Sequence, residues 1–322
     1  MNDPLLPLLQ CPRCRRSPLV AADAGYRCSP CGATFPLVDA VPWLYPDAAA
    51  ALAEWRNRST LYLEEFAAEA RRAAADLAVL PPDGATTARV RRLAEAYADH
   101  GRRVAALLAP LRPGAGAMPH ATQLAFGTEV PLTQDLHSYH ANVHRDWAWG
   151  EAENAASCAA VAAALGAVDG HVLVLGAGAG RLAYDLHVGS RVRTTVGLDI
   201  NPLLLAVARR AAAAEAVELY EFPLAPVDAA HAAVLRRLRA PAPARDGLVF
   251  VAADAFRAPF APQSFDAVIT PWFVDIVDVE FPDLVAHVNR LLRPGGRWVN
   301  FGSLAFPSRR PALRWSIEEV LV

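Results

Sequence analysis

Residues 171–182 read HVLVLGAGAGRL. The apolar run Val172 to Leu175 has the length and β-branched character of a buried strand. It breaks into Gly176, Gly178 and Gly180, and a helical pattern follows. A strand, a glycine turn and a helix N-terminus let backbone approach a ligand closely. A dinucleotide fingerprint G-x-G-x-x-G needs its third glycine where this chain has Arg181. The spacing therefore points away from a nicotinamide dehydrogenase. It points toward another nucleoside-binding α/β fold, with Gly176, Gly178, Gly180 and Arg181 around the cofactor.

The residues downstream continue that pattern in order. Arg193 to Asp199 is a β-rich run ending in an acid. It lies about twenty residues beyond the glycine loop, where a carboxylate at a strand end can accept both ribose hydroxyls. Asn201-Pro202 opens a helix running to about residue 216. A proline-bearing insertion, 218–245, follows and is expected to flank or cover the ligand crevice. Leu248–Ala252 is the third strand. After it, Asp254 is placed to take an adenine amino group and Ala255 to offer its backbone N–H. Ser264–Thr270 is the fourth strand, with Asp266 read as a structural acid at its edge. Pro271 to Asp275 lies at that strand's C-terminal end, the edge that faces ligands in open α/β sheets. A helix over 281–292 should stop at Arg293-Pro294-Gly295-Gly296. Residues 297–302 form the fifth strand.

Near the N-terminus, Cys11-Pro-Arg-Cys14 and Cys28-Ser-Pro-Cys31 are two C-x-x-C knuckles with thirteen residues between them. Four thiolates at this spacing close a tetrahedral zinc site and leave no open position, so the zinc is structural. Leu19-Val20 and Tyr26-Arg27 can pair as short strands of a ribbon. The fifth cysteine, Cys158, sits in an apolar helical stretch and reads as a core thiol.

Between the two motifs, residues 47–111 carry apolar residues at helical spacing, split by Pro81-Pro82-Asp83-Gly84. The second segment holds Arg89, Arg91, Arg92, Arg102 and Arg103, read as a solvated face because no aromatic residues interleave for base stacking. Residues 134–165 form a turn and then helices leading into the glycine-loop strand. His140 and His144 stand one helical turn apart, with Tyr139 beside them. That spacing would suit two metal ligands on one helix face, though no third ligand with matching spacing is visible; packing of the histidines and contact with substrate are the other readings open from the residues alone.

The net charge of −2 gives no signature of a nucleic-acid or membrane binder. No apolar run reaches a membrane span and no signal-peptide order is visible, so a cytoplasmic location is expected. Every one of the 31 basic residues is arginine. That excludes Walker-type and Schiff-base chemistry, which need lysine.

Jointly, GAGAG, Asp199, the ADAF and SFDAVIT stretches and LLRPGG resemble the class I S-adenosylmethionine-dependent methyltransferases along most of 171–303. Phe35 to Pro42, FPLVDAVP, resembles the tail of zinc-ribbon modules attached to several methyltransferases. RDWAWGEAEN, GAGAGRLAYDL, ITPWFVDIVDV and LLRPGGRWVNFGSL look like the carnosine N-methyltransferase-like family, which methylates an imidazole nitrogen. That resemblance implies that Asp275 is a substrate-side acid; a helix-capping role is the alternative reading. Tyr139, His140, Trp272, Phe273 and His144 would shape the acceptor pocket. Phe306 stands where that family has a substrate-binding histidine, which argues against carnosine itself. The family also continues into a helix and two further strands, so a Rossmann-like sheet without its last two strands is expected; either the chain is a truncated form, or a partner or second copy covers the fifth strand's edge.

The organisation expected is thus a zinc ribbon (1–46), a helical region (47–132) and a methyltransferase domain (133–322). The leading function is methylation of an imidazole or amine in a small molecule or peptide, with Asp275, His140 and Tyr139 catalytic. An RNA methyltransferase docking through the ribbon and arginine helix is one alternative. A non-catalytic ribbon scaffold is the other.

Overall fold

The computed structural model describes residues 3–16, 18–112, 114, 128, 130–131, 135–277, 279–306 and 310–320. In chain order its main elements are β1 (Val20–Ala22), β2 (Gly25–Arg27), β3 (Thr34–Val38), β4 (Val41–Pro42), α1 (Ala48–Val79) and α2 (Ala85–Leu108). Then come α3 (Glu151–Leu165), β5 (His171–Leu175), α4 (Arg181–Gly189), β6 (Thr194–Asp199) and α5 (Pro202–Ala212). The remainder is β7 (Val217–Glu221), β8 (Val234–Leu238), β9 (Leu248–Ala252), β10 (Phe265–Pro271), α6 (Phe281–Leu291) and β11 (Leu292–Phe301). The chain divides into two compact units: residues 1–48, 152–200 and 244–322, and residues 49–151 and 201–243.

The first unit contains a five-stranded parallel sheet in the order β11-β10-β5-β6-β9. Strands β5, β6 and β9 progress to one side, and the chain then crosses back to lay β10 on the other side of β5. The order reverses there, and open α/β sheets bind ligands at that switch point, outside the carboxyl ends of the strands. The central strands are apolar on both faces: Val172 to Leu175 and all of β6 are buried. This is the sheet class the sequence implies, with β11 at its edge.

The ribbon forms its own antiparallel sheet, β1-β2-β3-β4, and shares a core with the five-stranded sheet. Leu5, Leu9, Phe35 and Leu44 pack in one cluster with Val251 and Phe260. Phe260 meets Phe265 edge-on at 4.9 Å.

One element departs from the sequence reading. Helix α6 stops at Leu291 as expected, but Arg293 to Gly296 make no separate turn. Phe265 pairs with Leu292 and Ala267 with Arg297, so residues 293–296 bulge opposite the single Asp266. The bulge has a cause: Arg293 reaches back to both oxygens of Asp266, at 2.8 and 2.7 Å. Asp266 also accepts the His171 backbone N–H at 2.6 Å, so it ties three elements together away from the ligand edge.

In the second unit, α2 packs on α5 and on an antiparallel hairpin, β7–β8. The insertion at 218–245 is therefore mostly this hairpin. Asn201 caps α5, its side chain accepting from Leu203 and Leu204, with Pro202 at the first helical position. Helix α2 spends three of its five arginines locally. Arg92 donates twice to the Ala233 carbonyl, Arg102 and Arg103 pair with Asp99, and Arg103 also reaches Glu218.

Candidate cofactor and zinc sites

The glycine loop leaves β5 with Gly176, Gly178 and Gly180 at φ of +70, +56 and +82°. These left-handed values are why glycine is required there. The N–H groups of Gly176 and Ala177 both donate to the Leu198 carbonyl, at 2.9 and 3.0 Å. Gly178 N–H donates to Asp199 Oδ2 at 2.7 Å. The loop and the acid at the end of β6 are thus locked together. A Cβ on Gly176 would fall 2.6 Å from the Phe273 ring, whereas one on Gly178 would meet nothing within 4 Å. Phe273 is buried as the packing floor of the loop, and Gly178 faces open space. That open cradle of backbone, next to a buried carboxylate, fits an adenosyl cofactor.

Arg181 opens α4 and is buried, with Nε donating to Asp185 at 2.8 Å. Asp254 follows β9 and caps the turn Ala255–Arg257 by accepting Phe256 N–H at 2.9 Å. Burial pushes its carboxyl up from the usual range, opposed by that N–H and by Arg257. Ala255 is buried.

At the end of β10, Trp272 takes a left-handed φ of +49° while 55% of the residue stays exposed. Non-glycine residues hold such backbone only under local constraint. Here Trp272 N–H donates to the Phe301 carbonyl at 2.7 Å, and Gly302 leaves room for the indole where a Cβ would come within 2.9 Å. Asp275 is buried. Its Oδ2 accepts the Ser303 hydroxyl and the Ala305 N–H, so the segment after β11 orients this acid. Ser303 was not singled out by the sequence, since nothing local marks a serine that partners an acid 28 residues earlier. Phe306 packs edge-on against Phe281 at 5.6 Å.

Tyr139, His140 and His144 lie in the second unit. Tyr139 is exposed with φ of +62°. His140 is packed in a cluster of rings: its Nδ1 is 3.0 Å from the Tyr62 hydroxyl, and its centroid lies 5.7 Å from His100 and 6.2 Å from His144. His100 Nδ1 accepts the Tyr220 N–H at 3.1 Å. Burial pushes His100 down to about 4 and His140 to about 3, each lowered further by neighbouring imidazoles. His144 is lowered too, chiefly by burial. His100 Nε2, His140 Nε2 and His144 Nδ1 have no hydrogen-bond partner among the described residues.

The sulfurs of Cys11, Cys14, Cys28 and Cys31 all lie within 4.8 Å of one another. Cys11 and Cys31 are 3.7 Å apart, and Cys14 and Cys28 are 3.6 Å apart. A tetrahedron with 2.3 Å zinc–sulfur bonds has edges of about 3.8 Å, so the four sulfurs can hold a zinc ion. This is the sole such group among the described residues, and His140 with His144 forms none. No helix among the described residues is long and apolar enough to cross a membrane.

Residues 173–299 match the family described as "Methyltransferase domain". No curated protein matches the chain. Among solved structures, the complex of the Haloferax volcanii Trm112 methyltransferase activator with a methyltransferase aligns at 20% identity and a TM-score of 0.36, over 51% of this chain and 57% of that one. Phosphoethanolamine N-methyltransferase 2 of Haemonchus contortus aligns at 18% identity and 0.36, over 54% and 36%. An S-adenosylmethionine-dependent methyltransferase of Methanococcus maripaludis aligns at 16% identity and 0.36, over 51% and 60%. The aligned stretch is thus less than two thirds of each of those chains, and nothing about this chain's acceptor rests on them. The family match spans the strands of the parallel sheet: residues 173–299 are similar to a methyltransferase domain.

Proposed function

We propose that the chain methylates a neutral nitrogen, an imidazole or amine, of a small molecule or peptide. In this reading Asp199 takes the ribose hydroxyls, Asp254 the adenine amino group with the Ala255 N–H beside it, and the glycine loop the methionyl end. The bound cofactor supplies a methyl group on a sulfonium, open to in-line displacement. The observation that carries the acceptor assignment is Asp275, a buried acid at the ligand edge oriented by Ser303 and Ala305. A carboxylate so held can accept the N–H of the acceptor, fix its tautomer and offset the positive charge that grows on the ring as its other nitrogen takes the methyl. Trp272, exposed beside it, offers a flat face on which a ring or a cation can stack. Phe306 narrows the acceptor to one that needs no histidine partner there.

Three of the five arginines of α2, Arg92, Arg102 and Arg103, already have partners within the chain, which favours a small acceptor over RNA. The test is methyl transfer from labelled S-adenosylmethionine to a panel of imidazoles and amines. Asp275→Asn should lower kcat by about 10²-fold while cofactor affinity stays within about threefold. Full turnover by that variant would remove Asp275 from the reaction.

A further inference from the structure

The ribbon holds the methyltransferase sheet at the places where the cofactor acids stand. Trp43 bridges Ala252 in parallel, and Leu44 N–H donates to the Ala252 carbonyl at 2.9 Å, just before Asp254. Just after the Asp254 turn, Gln10 N–H donates to the Pro259 carbonyl and Ala261 N–H to the Leu8 carbonyl, at 2.9 and 3.0 Å. The Tyr45 hydroxyl donates to the Ile200 carbonyl at 3.2 Å, one residue past Asp199. Segment 252–261 is therefore clasped at both ends by the module that carries the cysteines.

Arg15 joins the two most directly. It follows Cys14, takes a left-handed φ of +56°, and closes the first knuckle by donating its N–H to the Cys11 carbonyl at 3.0 Å. Gln10 Nε2 donates to the Arg15 carbonyl at 2.8 Å. The guanidinium leaves the knuckle and donates to the Ala258 carbonyl at 3.1 Å, beside the Asp254 turn. Zinc on four thiolates carries a net charge of about −2, a divalent ion against four single negative charges. A guanidinium anchored between that centre and a buried acid feels both charges, and its backbone is set by the N–H to Cys11 that closes the knuckle.

We infer that Arg15 is a positioning residue that couples zinc loading of the ribbon to cofactor binding at the Asp254 turn. The inference rests on the cofactor-site reading above. Because coupling is reciprocal, bound cofactor also holds the zinc more tightly. The experiment uses the full chain and S-adenosylmethionine as probe, with affinity read by calorimetry and zinc release by a chromogenic chelator. Zinc-loaded protein should bind about tenfold more tightly than chelated protein, within the usual range of coupling. Loaded Arg15→Gln should keep its zinc, lose most of that tenfold, and release zinc at a rate that no longer responds to cofactor. Arg13→Gln, exposed between the same cysteines, should change neither reading.

If the chelated chain unfolds, the loaded variants and the release rates decide. Arg15→Gln with wild-type affinity and a cofactor-sensitive release rate overturns the inference. Wild-type affinity unaffected by zinc in a folded chelated chain overturns it equally. Loaded wild-type protein that binds no cofactor removes the site reading as well, which separates the two failures.

Discussion

The buried histidines of the second unit should make the protein acid-sensitive well above the carboxylate range. His100 and His140 are held neutral, at about 4 and about 3, by burial first and neighbouring imidazoles second. The carboxylate that acts on His100 is already engaged, Asp99 pairing with Arg103 at 2.7 Å, and so is the one that acts on His144, Glu221 pairing with Arg236 at 2.7 Å. In the unfolded chain each imidazole takes up its proton near pH 6.5. The folded pKa lies below the unfolded one, so protons favour the unfolded chain, and stability falls as pH drops below about 6.5. At pH 5 the deficit is about 1.5 pH units at about 1.4 kcal/mol each, or about 2 kcal/mol per histidine and about 4 kcal/mol for the pair. His144 adds to this in the same direction. The assay is urea unfolding between pH 7.5 and 5, above the range where most carboxylates titrate. The midpoint should hold from pH 7.5 to about 6.5 and fall steadily from there to pH 5. The double variant His100→Gln/His140→Gln should have a shallower dependence, whatever its absolute stability, the slope that remains coming from His144, His171, His187 and His287, which burial also lowers. A midpoint flat with pH, or an unchanged slope in the double variant, would refute the reasoning.

The two glycines of the loop should fail differently. Gly176→Ala drives a Cβ into Phe273 at a left-handed φ and should cost about 2–4 kcal/mol of stability by thermal or urea unfolding. Gly178→Ala meets nothing and should cost only about 1 kcal/mol, yet weaken S-adenosylmethionine binding in calorimetry by intruding on the open cradle. Asp266→Ala leaves the Arg293 guanidinium and the His171 N–H unpaired and should cost about 2 kcal/mol, with cofactor affinity unchanged in the same titration.

Much of the first unit was legible because its signals are local. The glycine loop, the acid ending β6, the apolar strands and the C-x-x-C knuckles are each written in consecutive residues, and their order dictates the sheet. What was not legible depends on residues far apart in the chain. Nothing near Gln10 announces that it pairs with Pro259, nor near Tyr45 that it reaches Ile200. The Arg293–Gly296 stretch carries helix-stop chemistry but is drawn into a bulge by an ion pair to Asp266. His140 is a candidate catalytic group in the sequence because its segment leads into the glycine-loop strand, and its i, i+4 spacing from His144 suits a metal pair. His140 itself lies in a turn, and its contacts with Tyr62 and His100 come from two helices, α1 and α2, and give it a packed environment. The insertion at 218–245 showed only prolines, and its hairpin register is set by pairing across a loop, Val217 with Leu238 and Glu221 with Val234.

The central claim is that the glycine loop and Asp199 form the seat of S-adenosylmethionine. Calorimetric titration of the zinc-loaded chain with S-adenosylmethionine tests it most directly. Wild-type protein should bind one equivalent, and Asp199→Ala should bind at least about 30-fold more weakly, the loss of a charged hydrogen-bond partner worth about 2 kcal/mol. Equal affinity in a folded Asp199→Ala, or no binding by the wild type, would contradict the account.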